Sequence, residues 1–86
     1  MNKYEQAHWE TIKNRPNVTA TLTNAIANPG ISRRYIAGLY AISLRLDFGQ
    51  TDWETVNHAI IERWSLSALK WIKKSAWQAI EQAVTV

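Results

Sequence analysis

Two adjacent arginines, Arg33 and Arg34, stand in the first helical turn read from NPGISRRYIAGLYAIS, residues 28–43. A helix N-terminus already presents free amide groups and the positive end of the peptide dipoles, so two cations there are disfavoured unless something negative lies near. Arranged beside those amides, the two guanidinium groups are suited to hold a phosphate. The competing source of negative charge is internal. Residues 47–62 hold Asp47, Asp52, Glu54 and Glu62 and no lysine or arginine.

A second constellation follows in WSLSALKWIKKSAW, residues 64–77, where Lys70, Lys73 and Lys74 crowd around Trp71. At about 100° per residue, Leu69, Ile72 and Ala76 share one face and Trp71 falls on the other, among Ser67, Lys70, Lys74 and Gln78. An outward tryptophan between lysines fits three kinds of partner: a protein interface anchored by the indole, nucleic acid held by lysines on phosphates and an indole against a base, or an anionic lipid surface. Cover by another part of the chain is the alternative. Tyr35, beside the arginines, is a second aromatic suited to a base or sugar.

Both constellations fit loosely into a helix-turn-helix. In residues 59–77 the turn is Trp64-Ser65-Leu66-Ser67 and the basic recognition helix runs from Ala68 with Lys70, Lys73 and Lys74, but the turn lacks its usual glycine. In residues 21–40 a Gly-Ile-Ser turn precedes a helix that opens with Arg33 and Arg34, and Asn28-Pro29 makes the turn longer than the compact form.

Catalysis finds little support. The chain has no cysteine, no glycine-rich phosphate loop and no nucleophile elbow, and the histidines, His8 and His58, fall on separate helices and are read as lacking a metal-site partner at helical spacing. His58 is read as a solvated surface residue, and Asn57 as an amide that bonds to a loop backbone. No enzyme activity, cofactor, metal or small-molecule substrate is expected.

The elements that must position these residues are helical. Eighty-six residues, 47% of them hydrophobic and 20% charged, suffice for one domain over 1–86 with an economical core. Breaks at 14–17, 28–30, 47–50 and 64–67 separate helices at 3–14, 19–28, 33–47, 52–64 and 67–83, and no alternating run marks a strand. Ser32 caps the third helix, with Ile31 packed on Ile36 as a staple, and Thr51-Asp52-Trp53-Glu54 matches a capping box. The third helix is apolar nearly all round, with Arg34, Gly38 and Arg45 on its polar strip, so it belongs at the centre with Tyr40 and Leu44 buried. Gly38 either admits a neighbouring backbone or is simply tolerated. The expected fold is all-α: a compact bundle of four to five helices around residues 33–47, the last two helices being separate or one bent rod.

MNKYEQAHWE lacks the profile of a signal peptide, and the apolar run broken by Arg45 is too short to span a membrane. A soluble, cytoplasmic protein is expected, in which the sequon at Asn17 carries no glycan. Net charge is +3 and pI about 9.5, a modest lean toward acidic partners. The leading expectation is a non-catalytic nucleic-acid-binding protein, with Arg33, Arg34, Lys70, Lys73 and Lys74 on phosphates and Trp71 or Tyr35 on a base or sugar. The alternative is a small regulator or inhibitor that docks on a larger protein through Trp71 and its neighbours, or a homo-oligomer built on that surface.

Overall fold

A computed structural model describes residues 6, 8, 10, 12, 13, 17–46 and 51–85, with side chains through residue 82. It is an all-α bundle whose four helices are α1 (Val18–Ala27), α2 (Arg33–Leu46), α3 (Trp53–Arg63) and α4 (Leu66–Thr85), with no strand among the described residues. Of the helix expected at 3–14, Gln6, His8, Glu10 and Ile12 are helical and Lys13 lies in a turn. Its other residues and the break at 47–50 lie outside the described residues.

Each helix starts where a short polar side chain replaces the missing helical acceptor. Asn17 Oδ1 accepts from the Ala20 amide at 3.0 Å, Ser32 Oγ from the Tyr35 amide at 3.2 Å, and Ser65 Oγ from the Ala68 amide at 3.1 Å. At α3 the cap is Asp52, not the expected Thr51. Its carboxylate takes the Thr55 amide at 3.2 Å and the Thr55 hydroxyl at 2.8 Å, and these bonds hold it below the ordinary aspartate range, the hydroxyl contributing most. With Asp52 as the cap the third helical residue is Thr55, not Glu54, so the expected box does not form; the Asp52 amide donates instead to Thr19 Oγ1 of α1 at 2.8 Å. Thr51 Oγ1 is buried without a partner among the described residues.

α2 is the surrounded helix. Ile36, Ala37, Leu39, Tyr40, Ala41, Ile42 and Ser43 are all buried, covering every side of the axis but the strip that carries Arg34, Gly38 and Arg45. It packs most extensively on α4, while α1 lies against α3. Leu22 and Ile26 of α1, Val56 and Ile60 of α3, and Leu69, Ile72 and Ala76 of α4 complete the core. Leu44 departs from expectation: it is only half-buried, like Arg45 and Leu46 after it, because the last turn of α2 emerges at the rim of the bundle. The last two helices are separate. α3 ends at Arg63, Trp64 breaks the helical dihedrals with φ −117° and ψ −81°, and the capping Ser65 starts α4 two residues earlier than the recognition helix expected from Ala68.

Two polar contacts lock α2 in place. The Tyr40 hydroxyl donates to Asn57 Oδ1 at 2.7 Å, and the Tyr40 ring packs on Trp53 with centroids 4.5 Å apart. Asn57 therefore binds a side chain of the central helix, not a loop backbone. Burial raises the Tyr40 pKa, with the Asn57 bond acting in the opposite sense. On the polar strip, Gly38 admits a side chain instead of a backbone: a Cβ there would stand 2.1 Å from His8 Nε2. His8 also meets the edge of Tyr35 at 5.4 Å and 67°.

The chain from α1 to α2 is held by Arg63. Its Nη1 donates to the carbonyls of Ile26 and Asn28, and its Nη2 to those of Pro29 at 3.4 Å and Ile31 at 3.2 Å. The guanidinium lies 4.5 Å from the Trp64 ring centroid. Within the loop, Asn28 Oδ1 accepts from the Gly30 amide at 2.9 Å and its carbonyl from the Ile31 amide at 3.1 Å.

Three outcomes are expected. Arg63→Ala should destabilise the fold by about 2 to 4 kcal/mol in urea unfolding, since hydrogen bonds to a charged group contribute about 1.5 to 3 kcal/mol each. Arg63→Lys should recover less than half, because one ammonium cannot span four carbonyls; equal stability of lysine and arginine would show that the charge alone suffices. Gly38→Ala should stabilise a His8→Ala background by about 1 kcal/mol through helix propensity, and should bring no gain in the wild type, where the methyl displaces the imidazole. Burial also lowers the His8 pKa, so the unfolded chain binds its proton more readily than the folded one. The His8 contribution is then complete above about pH 6.5 and declines as pH falls below it. Comparing wild type with His8→Ala between pH 7 and 5 should show the steeper loss in the wild type.

Candidate nucleic-acid interface

α2 opens on Arg33 and Arg34, both exposed, with no acidic residue in its first turn. The capping Ser32 and the loop pinned by Arg63 fix where that turn begins. The two arginines form no ion pair with any described residue. Of the internal carboxylates expected to neutralise them, Glu54 is exposed in the first turn of α3 and makes no ion pair with either arginine, Asp52 caps α3, and Glu62 meets His58 at 3.1 Å. That last contact corrects the expectation that neither histidine has a carboxylate at helical spacing, since Glu62 stands four residues after His58. Both side chains of the pair are well exposed, so it is a surface contact. Asp47 lies outside the described residues.

Arg33 instead reaches α4. Its guanidinium carbon lies 5.7 Å from the centroid of the Trp71 ring, a separation at which the positive charge is attracted by the π face. The indole remains 42% exposed, so α2 touches Trp71 without covering it. The start of α2 and the middle of α4 thereby become neighbours on one surface, joining two constellations that are far apart in the chain.

Lys70, Lys73 and Lys74 are exposed on α4, and none is paired among the described residues. The buried face of α4, formed by Ala68, Leu69, Ile72 and Ala76, directs the opposite face outward. At about 100° per residue the outward arc runs from Lys73 through Leu66, Trp77, Lys70, Glu81, Lys74, Ser67 and Gln78 to Trp71. Trp77 is 55% exposed and Leu66 53% exposed. Sequence reasoning placed neither of them outside. Leu66 stands three residues before Leu69, about 60° from it, and so continues the apolar stripe. Trp77 lies about 80° from Leu69 and further from Ile72 and Ala76, a signal that was there to read.

Tyr35 is differently situated. It is half-buried, with its ring against His8; among the described residues the well-exposed aromatic side chains are Trp71 and Trp77. Arg63, the residue with the densest set of carbonyl contacts, was not singled out from sequence. An arginine in the last turn of a helix is ordinary, and its targets are visible only once α1 and α3 are side by side.

A shallow groove of about 400 Å³ lies between α1 and α3, lined by Thr23, Ile26, Ala27, Pro29, Ala59, Glu62 and Arg63. None of Arg33, Arg34, Lys70, Lys73 and Lys74 lines it. Among the described residues, no three histidine or carboxylate side chains gather as metal ligands would, and no helix is long and apolar enough to cross a membrane.

No protein-family model matches the chain, and neither a curated protein nor a solved structure does.

Proposed function

We propose that the chain binds nucleic acid without transforming it, using Arg33 and Arg34 at the start of α2 and Lys70, Lys73 and Lys74 on α4 to meet phosphates. The observation that carries this is the contact of Arg33 with Trp71, which draws both basic segments onto one surface where no described carboxylate pairs with them. Phosphate contacts supply affinity by releasing counterions, and an indole amid the cations adds a face on which a base can stack. An intracellular site of action follows from such a ligand. Of the two helix-turn-helix arrangements, α3 and α4 are joined by Trp64 and Ser65 alone, whereas α1 and α2 are joined by five residues, 28–32.

A second reading has its own support. Leu66 and Ile61, the latter 37% exposed, are large apolar side chains beside the turn from α3 to α4, Trp77 is exposed three turns further along α4, and aromatic residues are enriched in protein interfaces. A regulator or inhibitor of a larger protein, or a homo-oligomer, would use them. Ionic strength separates the two.

Titrating a labelled oligonucleotide from about 50 to 200 mM salt should give log K falling linearly with log salt, at about 0.7 to 0.9 per phosphate contacted. Replacing Lys70, Lys73 and Lys74 together by alanine should lower that slope by about 2 to 3, and replacing Arg33 and Arg34 by a further 1 to 2, at nearly unchanged fold stability. Absence of binding at 50 mM salt would overturn the nucleic-acid reading in favour of a protein partner.

A further inference from the structure

The exposed face of α4 carries an indole near each of its two borders, with Lys70 and Lys74 between them. Trp71 and Trp77 are six residues apart, so they lie about 9 Å apart along the axis and about 120° apart around it. Neither indole lies in the apolar cluster that holds the bundle together. At 42% and 55% exposure, each keeps a large aromatic surface in water, although burying such a ring is strongly favourable.

That arrangement suits one form of nucleic acid. In a duplex, the faces of the bases are stacked on one another at about 3.4 Å and only their edges are offered to a protein in the grooves. An indole has little to hydrogen-bond with those edges, having a single N–H donor. A helix carrying a bulky ring near each border of its outward face also meets the walls of a groove about 12 Å wide. A single strand differs on both counts. Its unpaired bases can splay apart and lay their faces on aromatic rings, and its backbone follows a line of cations. The separation of the indoles exceeds the step between stacked bases, so they engage bases that are not adjacent in a stack, with the intervening phosphates near Lys70 and Lys74. Arg33 against Trp71 adds a cation beside the first stacking position.

We infer that α4 is a stacking platform for single-stranded nucleic acid, with Trp71 and Trp77 each holding a base and Lys70 and Lys74 tracking the backbone between them. This rests on the nucleic-acid reading and specifies the strand form.

The test compares a fluorescein-labelled twelve-nucleotide oligodeoxythymidine with a blunt duplex of mixed sequence and equal length, at one salt concentration, by anisotropy on the full chain. The single strand is expected to bind at least about ten-fold more tightly and to quench the tryptophan fluorescence. Trp77→Ala and Trp71→Ala should each weaken single-strand binding about 5- to 150-fold, the range for one lost base stack, while duplex binding changes little. Trp77→Phe should restore much of the loss because it keeps a ring. Urea unfolding of each variant separates loss of contact from loss of fold, and Trp77, the more exposed of the two, keeps the comparison valid should Trp71→Ala prove unstable. Equal affinity for both forms, or tighter duplex binding, would overturn the inference and leave the nucleic-acid reading standing. Single-strand binding that both alanine variants retain, fully folded, would overturn the platform as well. Failure to bind either form at low salt would remove both.

Discussion

Where α1 ends, its last carbonyls lack helical partners and carry the negative end of the helix dipole, and the Arg63 guanidinium is what meets them. A guanidinium is a planar fork with five donors and a charge that neutral pH does not remove. Four carbonyls between Ile26 and Ile31 converge on it, so one side chain from the end of α3 satisfies the end of α1 and fixes the loop that leads to α2. Trp64, stacked on the same group, gives it an apolar floor on one side. The direction in which α2 leaves that loop depends on this contact. So does the place where Arg33 meets Trp71.

The core has a complementary economy. A chain of this size buries a limited share of its surface, and α2 compensates by burying side chains on every side but its polar strip. A helix so enclosed must satisfy whatever polar groups it carries. Tyr40 does so through Asn57, a bond that also sets α2 against α3. Ser43 does not: its hydroxyl is buried and has no partner among the described residues, an arrangement that costs more than a small apolar side chain would. His8 fills the gap left by Gly38, so the first described residues sit against the polar strip of α2 through a ring in a slot.

Periodicity carried most of the fold. Apart from Leu44 and Leu66, the apolar spacing of residues 33–46, 53–64 and 66–80 places inward the side chains that the bundle buries, because apolar positions recurring at 3.6 residues mark the directions a helix must hide. What was not legible depended on geometry between helices. Thr51 and Asp52 both resemble caps in sequence, and the choice of Asp52 follows from Thr19 of α1 accepting the Asp52 amide. Leu44 continues the buried pattern of α2 yet emerges, because periodicity does not say where the bundle ends. Within the site, the basic residues and Trp71 were readable from local spacing; their joining by Arg33 was not, since it depends on how α2 lies across α4.

Charge is allotted unevenly by this architecture. Three of the described carboxylates serve local structure: Asp52 caps α3, Glu10 binds Lys13 at 2.6 Å, and Glu62 meets His58. The described cations other than Arg45 divide into two groups. Arg63 and Lys13 have internal partners, whereas Arg33, Arg34, Lys70, Lys73 and Lys74 form no ion pair among the described residues, and Arg33 is held by a π face that attracts it without cancelling its charge. Like charges gathered on one surface repel one another and weaken the compact state. The bundle tolerates that repulsion because Arg63 and the α2 core secure it independently of the surface. On the nucleic-acid reading, a line of phosphates relieves the repulsion as it binds, and the same cations that burden the free protein then supply its affinity.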